Sequence, residues 1–135
     1  MRHLSPRTLA LIFLGGLLGT ILRDQISQLD GSVTSIPYGI LIANIAGSFV
    51  LGGVISYLSE FEPVNALNIR AAWGTGFCGG LTTFSTLCAG IFDLSRHGPI
   101  SLAITYAVIS LLLGIVAFGV ALFSVRLVRS LRVES

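Results

Sequence analysis

Four long apolar runs, separated by short polar joints, make up most of the chain. Residues 8–22, 31–59, 71–92 and 97–125 contain no Asp, Glu, Lys or Arg. A helix needs about 20 apolar residues to cross a bilayer. The last three runs reach that length, and the first does so when carried past Arg23 to about Ile26. The pattern predicts four transmembrane helices at about 8–26, 36–58, 70–93 and 100–126, forming a single four-helix domain over residues 1–135. The expected class is an all-α integral membrane protein. Pro37 and Pro99 stand at the starts of the second and fourth helices, where a proline is well tolerated, and Pro63 lies in the joint between the second and third. The first run has the length of a signal-peptide core. Arg23-Asp24-Gln25 follows it in place of a small-x-small cleavage site, so the helix is expected to be retained.

Composition agrees with the pattern. Of 135 residues, 10% are charged, against about 25% in a soluble domain, and the mean hydropathy is +0.91. Four spans put both termini and the 2–3 joint on one side of the membrane. That side carries Arg2, Arg7, Arg70, Arg126, Arg129 and Arg132, and the other carries Arg23 and Arg96. The positive-inside rule then places both termini in the cytoplasm. Arg126, Arg129 and Arg132 recur at helical spacing and read either as a topology anchor or as a contact with anionic headgroups. Cys78 and Cys88 have neither a metal-binding nor a redox spacing and read as small packing residues.

The polar residues inside the spans carry the candidate chemistry. Gly15, Gly19 and Arg23 share a face of the first helix. Small residues at that spacing let helix backbones approach closely. Arg23 itself either snorkels to the interface or faces a water-filled vestibule and attracts anions. Asn44 and Ser48 share a face of the second helix. The Asn44 amide either ties two helices together or donates to a passing anion. In the third span, Gly74, Gly76, Gly79 and Gly80 precede Thr82, Thr83, Ser85 and Thr86. This stretch reads as a helix break lining a polar interior, or as a glycine-rich packing helix whose hydroxyls bond its own backbone. Asp24, Asp30, Glu60, Glu62, Asp93 and Glu134 all lie at span edges or in joints. A polar track without carboxylates argues against proton coupling and against an acid-lined cation path, and suits an anion. No nucleophile–base set suggests an enzyme.

Three motifs, GGLLGTILR, PYGILIANIAGSFVLG and GTGFCGGLTTFST, resemble those of the small bacterial fluoride channels, the Fluc family, also called CrcB. The likeness runs over nearly the whole chain. It implies a subunit of an antiparallel dimer that exports fluoride across the cell membrane by passive diffusion. It also implies a structural, non-transported Na+ held by the backbone carbonyls of Gly79 and Thr82. By motif position, Asn44, Phe84, Ser85 and Thr86 would line the fluoride path, and Arg23 would match the first-helix arginine. Ser110 and Tyr106 are further candidates for the polar track, Tyr106 equally as a packing residue. The chain departs from the family pattern at Leu87, where a second phenylalanine is usual, and at Gly90, where a glutamate is often found. Together with the arginine asymmetry, this leads to the expectation that the chain inserts one way and pairs with an oppositely oriented paralogue rather than with itself. Competing readings are a non-conducting structural subunit and a small multidrug-type exporter. The exporter needs a first-helix carboxylate, and residues 9–22 have none.

Overall fold

In the computed structural model, which describes residues 5–28, 30 and 36–133, every regular element is helical. Helix α1 is Pro6–Ser27 and α2 is Tyr38–Phe61. The third span begins as α3, Ala66–Ile69, widens into a π-helical stretch, Arg70–Cys78, and tightens again as α4, Gly79–Leu81. After two extended residues it resumes as α5, Phe84–His97. Helix α6 is Ile100–Val133. Four helical runs are long and apolar enough to cross a membrane, with Ala66–His97 counted as one.

The ends of these helices follow from local chemistry. Ser5 caps α1, its Oγ accepting the Thr8 N–H at 3.2 Å, and Pro6 occupies the first turn, where no intrahelical donor is needed. Helix α2 stops at Glu62, which takes the left-handed conformation (φ 41°, ψ 52°), and Pro63 prevents any continuation. Three expected limits shift by four residues or more, the end of the third span moving to His97 from about 93. The third span starts at Ala66 rather than about 70, and α6 runs to Val133 rather than about 126. The arginines past Val125 end the apolar run but do not weaken the helix, because arginine is a good helix former. Arg2 lies outside the described residues, as does the side chain of Arg132.

Two seams organise the bundle. Helix α1 runs alongside the π-helical stretch and α4 at backbone distance. A methyl group added at Gly15, Gly19 or Gly80 would overlap the carbonyl oxygen of Ala72, Phe77 or Gly16 respectively, and one at Gly76 would lie 2.6 Å from the Ile12 oxygen. The Gly15/Gly19 face is therefore a packing face. Helix α2 runs parallel to α6 in a fixed register: Ser48 faces Gly114, Gly52 faces Phe118, the Ser56 hydroxyl donates to the Leu122 carbonyl at 3.1 Å, and Glu60 pairs with Arg126. A small apolar cluster of Ile40, Leu87, Leu94, Ala103 and Tyr106 ties α5 to α2 and α6. Leu81 is buried as well, whereas most other large apolar side chains point outward, among them Phe13 and Leu18 on α1 and Ile115 and Phe123 on α6. That distribution suits a lipid-facing surface.

Candidate functional site: a helix break and its cleft

The third span breaks halfway along its length. Thr82 (φ −82°, ψ 152°) and Thr83 (φ −149°, ψ 122°) are extended, and the helix resumes at Phe84. The glycines themselves are not the break: Gly79 is helical (φ −63°, ψ −32°), and Gly80 lies within α4. Gly80 lacks a side chain because α1 lies against it. The β-branched threonines accept the extended conformation readily.

Asn44 stabilises this break. Its Nδ2 donates to the Thr83 carbonyl at 3.1 Å, and its Oδ1 accepts the Thr83 N–H at 2.8 Å. One side chain thus serves both backbone groups of a residue outside any helix, which hydrocarbon alone would leave unsatisfied. The two bonds also fix the amide's orientation and leave one Nδ2 hydrogen unused. Thr83 completes the arrangement as the N-cap of α5: its Oγ1 accepts the Thr86 N–H at 3.3 Å, donates to Thr86 Oγ1 at 3.1 Å and lies 3.3 Å from Ser85 Oγ. Sequence reasoning passed over Thr83 as a site residue. The available signal was a hydroxyl residue placed just before a new helical run.

The break opens onto a cleft of about 710 Å³ between the second, third and fourth spans. Asn44, Ser48, Thr75, Thr82, Thr83 and Ser110 supply its polar lining, Phe84 and Leu87 part of its apolar lining, and none of its lining residues is charged. Phe84 is 74% exposed, so its ring is available to whatever enters or covers the cleft. Ser110 is buried and donates to the Tyr106 carbonyl at 2.6 Å.

The structure therefore brings Asn44, Phe84 and Ser110 together. Ser85 and Thr86 are exposed on the first turn of α5 but do not line the cleft. Tyr106 is buried in the core, and its hydroxyl donates to the Pro37 carbonyl at 3.1 Å. Its packing reading is the one the structure supports.

Arg23 reaches the break from the α1 side. Its Nη1 lies 3.5 Å from the Thr82 carbonyl oxygen, and no carboxylate among the described residues pairs with it. The guanidinium thus addresses the break rather than snorkelling away from it. The Gly79 carbonyl is also released, because the Thr83 N–H that would serve it in a continuous helix is bonded to Asn44. Gly79 and Thr82 both line the cleft. Carbonyl oxygens at a break are donors of the type hard cations take, the Gly79 oxygen without a helical partner and the Thr82 oxygen shared with the Arg23 guanidinium.

The two departures from the family pattern also have structural settings. Leu87 is only 6% exposed and belongs to the core cluster, although it also borders the cleft. Gly90 packs against Pro37, and an added Cβ would lie 2.8 Å from the Pro37 Cγ. A side chain here would have to push aside the Pro37 ring.

A protein-family model described as "CrcB-like protein, Camphor Resistance (CrcB)" matches residues 10–122. The chain belongs to the CrcB family. Several curated relatives are similar over most of its length. The "Fluoride-specific ion channel FluC 1" of Mycobacterium bovis is 38% identical over 124 residues, covering 91% of this chain and 93% of the relative. The "Fluoride-specific ion channel FluC" of Francisella philomiragia is 35% identical over 113 residues, covering 81% and 87%. The protein of the same name from Methanopyrus kandleri is 36% identical over 117 residues, covering 87% and 88%. All three are named as channels, a non-enzymatic class. With four membrane-length apolar helices, this CrcB-family chain is a multi-pass membrane protein.

Proposed function

We propose that this chain is a subunit of a fluoride-specific channel that lets fluoride leave the cell by passive diffusion. The observation that carries this reading is its likeness to fluoride-specific channels along nearly its whole length. The cleft supports it chemically. An uncharged lining neither traps an anion on fixed cations nor repels it with fixed carboxylates. The spare Asn44 hydrogen can replace part of fluoride's hydration. The electropositive edge of Phe84 can touch the ion without holding it. Ser110 extends the polar lining, and Ser85 and Thr86 would join the path on the outer surface of α5. A negative-inside potential drives the anion outward with about 2.3 kcal/mol per charge per 100 mV, whichever way the chain is inserted.

The cleft is open on one side, and an antiparallel second subunit would close it. That arrangement also bears on the cation. The Gly79 and Thr82 carbonyls of one chain supply two oxygens, whereas hard cations commonly take about six. Gly79 and Thr82 would therefore hold only part of the shell of a Na+, the remaining oxygens having to come from a second subunit or water, and the ion would supply fixed positive charge beside the break. We infer that the partner is an oppositely oriented paralogue. The arginine asymmetry favours a single orientation, and Leu87 leaves this chain without its second aromatic contact.

Fluoride efflux from liposomes, with the chain alone and with a candidate paralogue, tests the reading. Efflux from the mixture only is expected. Efflux from the chain alone would mean a working homodimer. Silence in both, with folded protein in the liposomes, would favour the non-conducting subunit that Leu87 makes plausible. Topology tags that report both orientations about equally would overturn the paralogue pairing.

A further inference from the structure

Helix α6 contains 34 residues. At 1.5 Å per residue it is about 50 Å long, against about 30 Å of bilayer hydrocarbon. Its composition changes at Arg126, after which Arg129 and Arg132 follow in register. Leu127, Val128 and Leu131 are exposed beside them. Such a mixture of basic and apolar side chains seeks the layer between headgroups and acyl chains.

Two of these arginines are held in place. Arg126 Nε lies 3.3 Å from Glu60 Oε1, and Arg129 Nη1 bonds Glu60 Oε2. The Glu60 side chain is 17% exposed, whereas those of Arg126 and Arg129 are 65% and 49% exposed. Two guanidinium groups against one carboxylate leave a net positive charge. Each guanidinium has five donors, and only one atom of each meets Glu60. Among the described residues no other acceptor meets them. The carboxylate thus orders two planar donor forks at the membrane surface and leaves their outer edges free. That geometry matches a phosphodiester, which arginine recognises in a bidentate manner. Arg7 and Arg70, both exposed, add positive charge at the same end of the bundle.

We propose that the end of α6 is a headgroup site for anionic phospholipid. Arg126 and Arg129 contact the phosphate, Glu60 positions them, and Leu127, Val128 and Leu131 enter the acyl boundary. The proposal is independent of which ion the chain conducts.

Native mass spectrometry of the full chain can test it, after release from mixed micelles holding equal phosphatidylglycerol and phosphatidylcholine with the same acyl chains. Phosphatidylglycerol is expected to be retained about fivefold over phosphatidylcholine at low salt, the effect of one uncompensated arginine at an anionic surface. The preference should fall at least twofold in the double variant R126Q/R129Q, with Arg7 and Arg70 sustaining a weaker residual attraction, and remain in Arg96→Gln, at the opposite end. In the unmodified chain it should also fall toward one at 1 M salt, where the screening length is about 3 Å. Equal retention of the two lipids by the unmodified chain would overturn the proposal. So would a preference undiminished in R126Q/R129Q or at 1 M salt.

Discussion

Replacing Asn44 with alanine should destabilise the chain as well as impair conduction, and the size of the loss can be worked out. The substitution removes the bonds at 2.8 and 3.1 Å that satisfy the Thr83 N–H and carbonyl. Side-chain hydrogen bonds in membrane proteins average about 0.6 kcal/mol and reach about 1.7, because the competing state usually finds other partners. Thr83 has fewer options. Its backbone lies outside any helix, halfway along a membrane span, where an unsatisfied group costs several kcal/mol unless water reaches it. The cleft admits some water, so the upper end of the measured range applies. Two bonds near that limit give about 3 kcal/mol, a factor of more than about 100 in the unfolding equilibrium. Reversible unfolding in bicelles would measure it. Asn44→Asp keeps the acceptor for the Thr83 N–H but loses the donor and introduces a charge, so it should lose at least as much as Asn44→Ala. If Asn44→Ala unfolds within about 0.5 kcal/mol of the unmodified chain, the amide does not hold the break. Abolished efflux with unchanged stability would assign Asn44 to the ion alone.

Further outcomes follow from packing and backbone geometry. Gly80→Ala must push α1 away from the third span and should lower the thermal midpoint sharply in detergent, whereas Gly53→Ala, with nothing within 4 Å of its added Cβ, should be close to neutral. Leu87→Phe introduces the aromatic that the motif resemblance leads one to expect but enters a packed cluster, so a loss of about 1–3 kcal/mol should accompany any gain in efflux. Glu62→Gly relieves a left-handed residue at the end of α2 and should stabilise by about 1 kcal/mol in the same unfolding assay. Tyr106→Phe loses only the bond to the Pro37 carbonyl and should cost about 1 kcal/mol while leaving efflux intact.

The spans were legible because hydropathy acts along the chain, and each run without charges supplies a membrane-length helical segment among the described residues, the third one interrupted at Thr82 and Thr83. The neighbourhood of the break was legible for the same local reason, since a cluster of glycine and threonine is a poor continuous helix. Its exact position was not. Whether Gly80 or Thr83 leaves the helix depends on which one has α1 packed against it, and Gly16 is far away in sequence. The Asn44–Thr83 pair joins residues 39 positions apart, and the Glu60 clamp reaches arginines 66 and 69 positions away, beyond the reach of any periodicity. The π-helical stretch was missed as well. Only the close approach of α1 makes sense of a wide helical turn rich in small residues. Gly90 read as a lost functional group in the sequence, whereas in the fold it is the space that Pro37 occupies.

The two halves of the third span are fastened to different neighbours. The half before the threonines is joined to α1 through glycine–backbone contacts, and α5 is joined mainly to α6 through the core cluster. The chain is therefore continuous across Thr82 and Thr83, but its packing is not. Over evolutionary time a change in α1 will most often be answered within residues 70–81, and a change in α5 within α6. Positions should covary more within each group than between the groups in related sequences, with α2, which packs on both and carries Asn44, as the link between them.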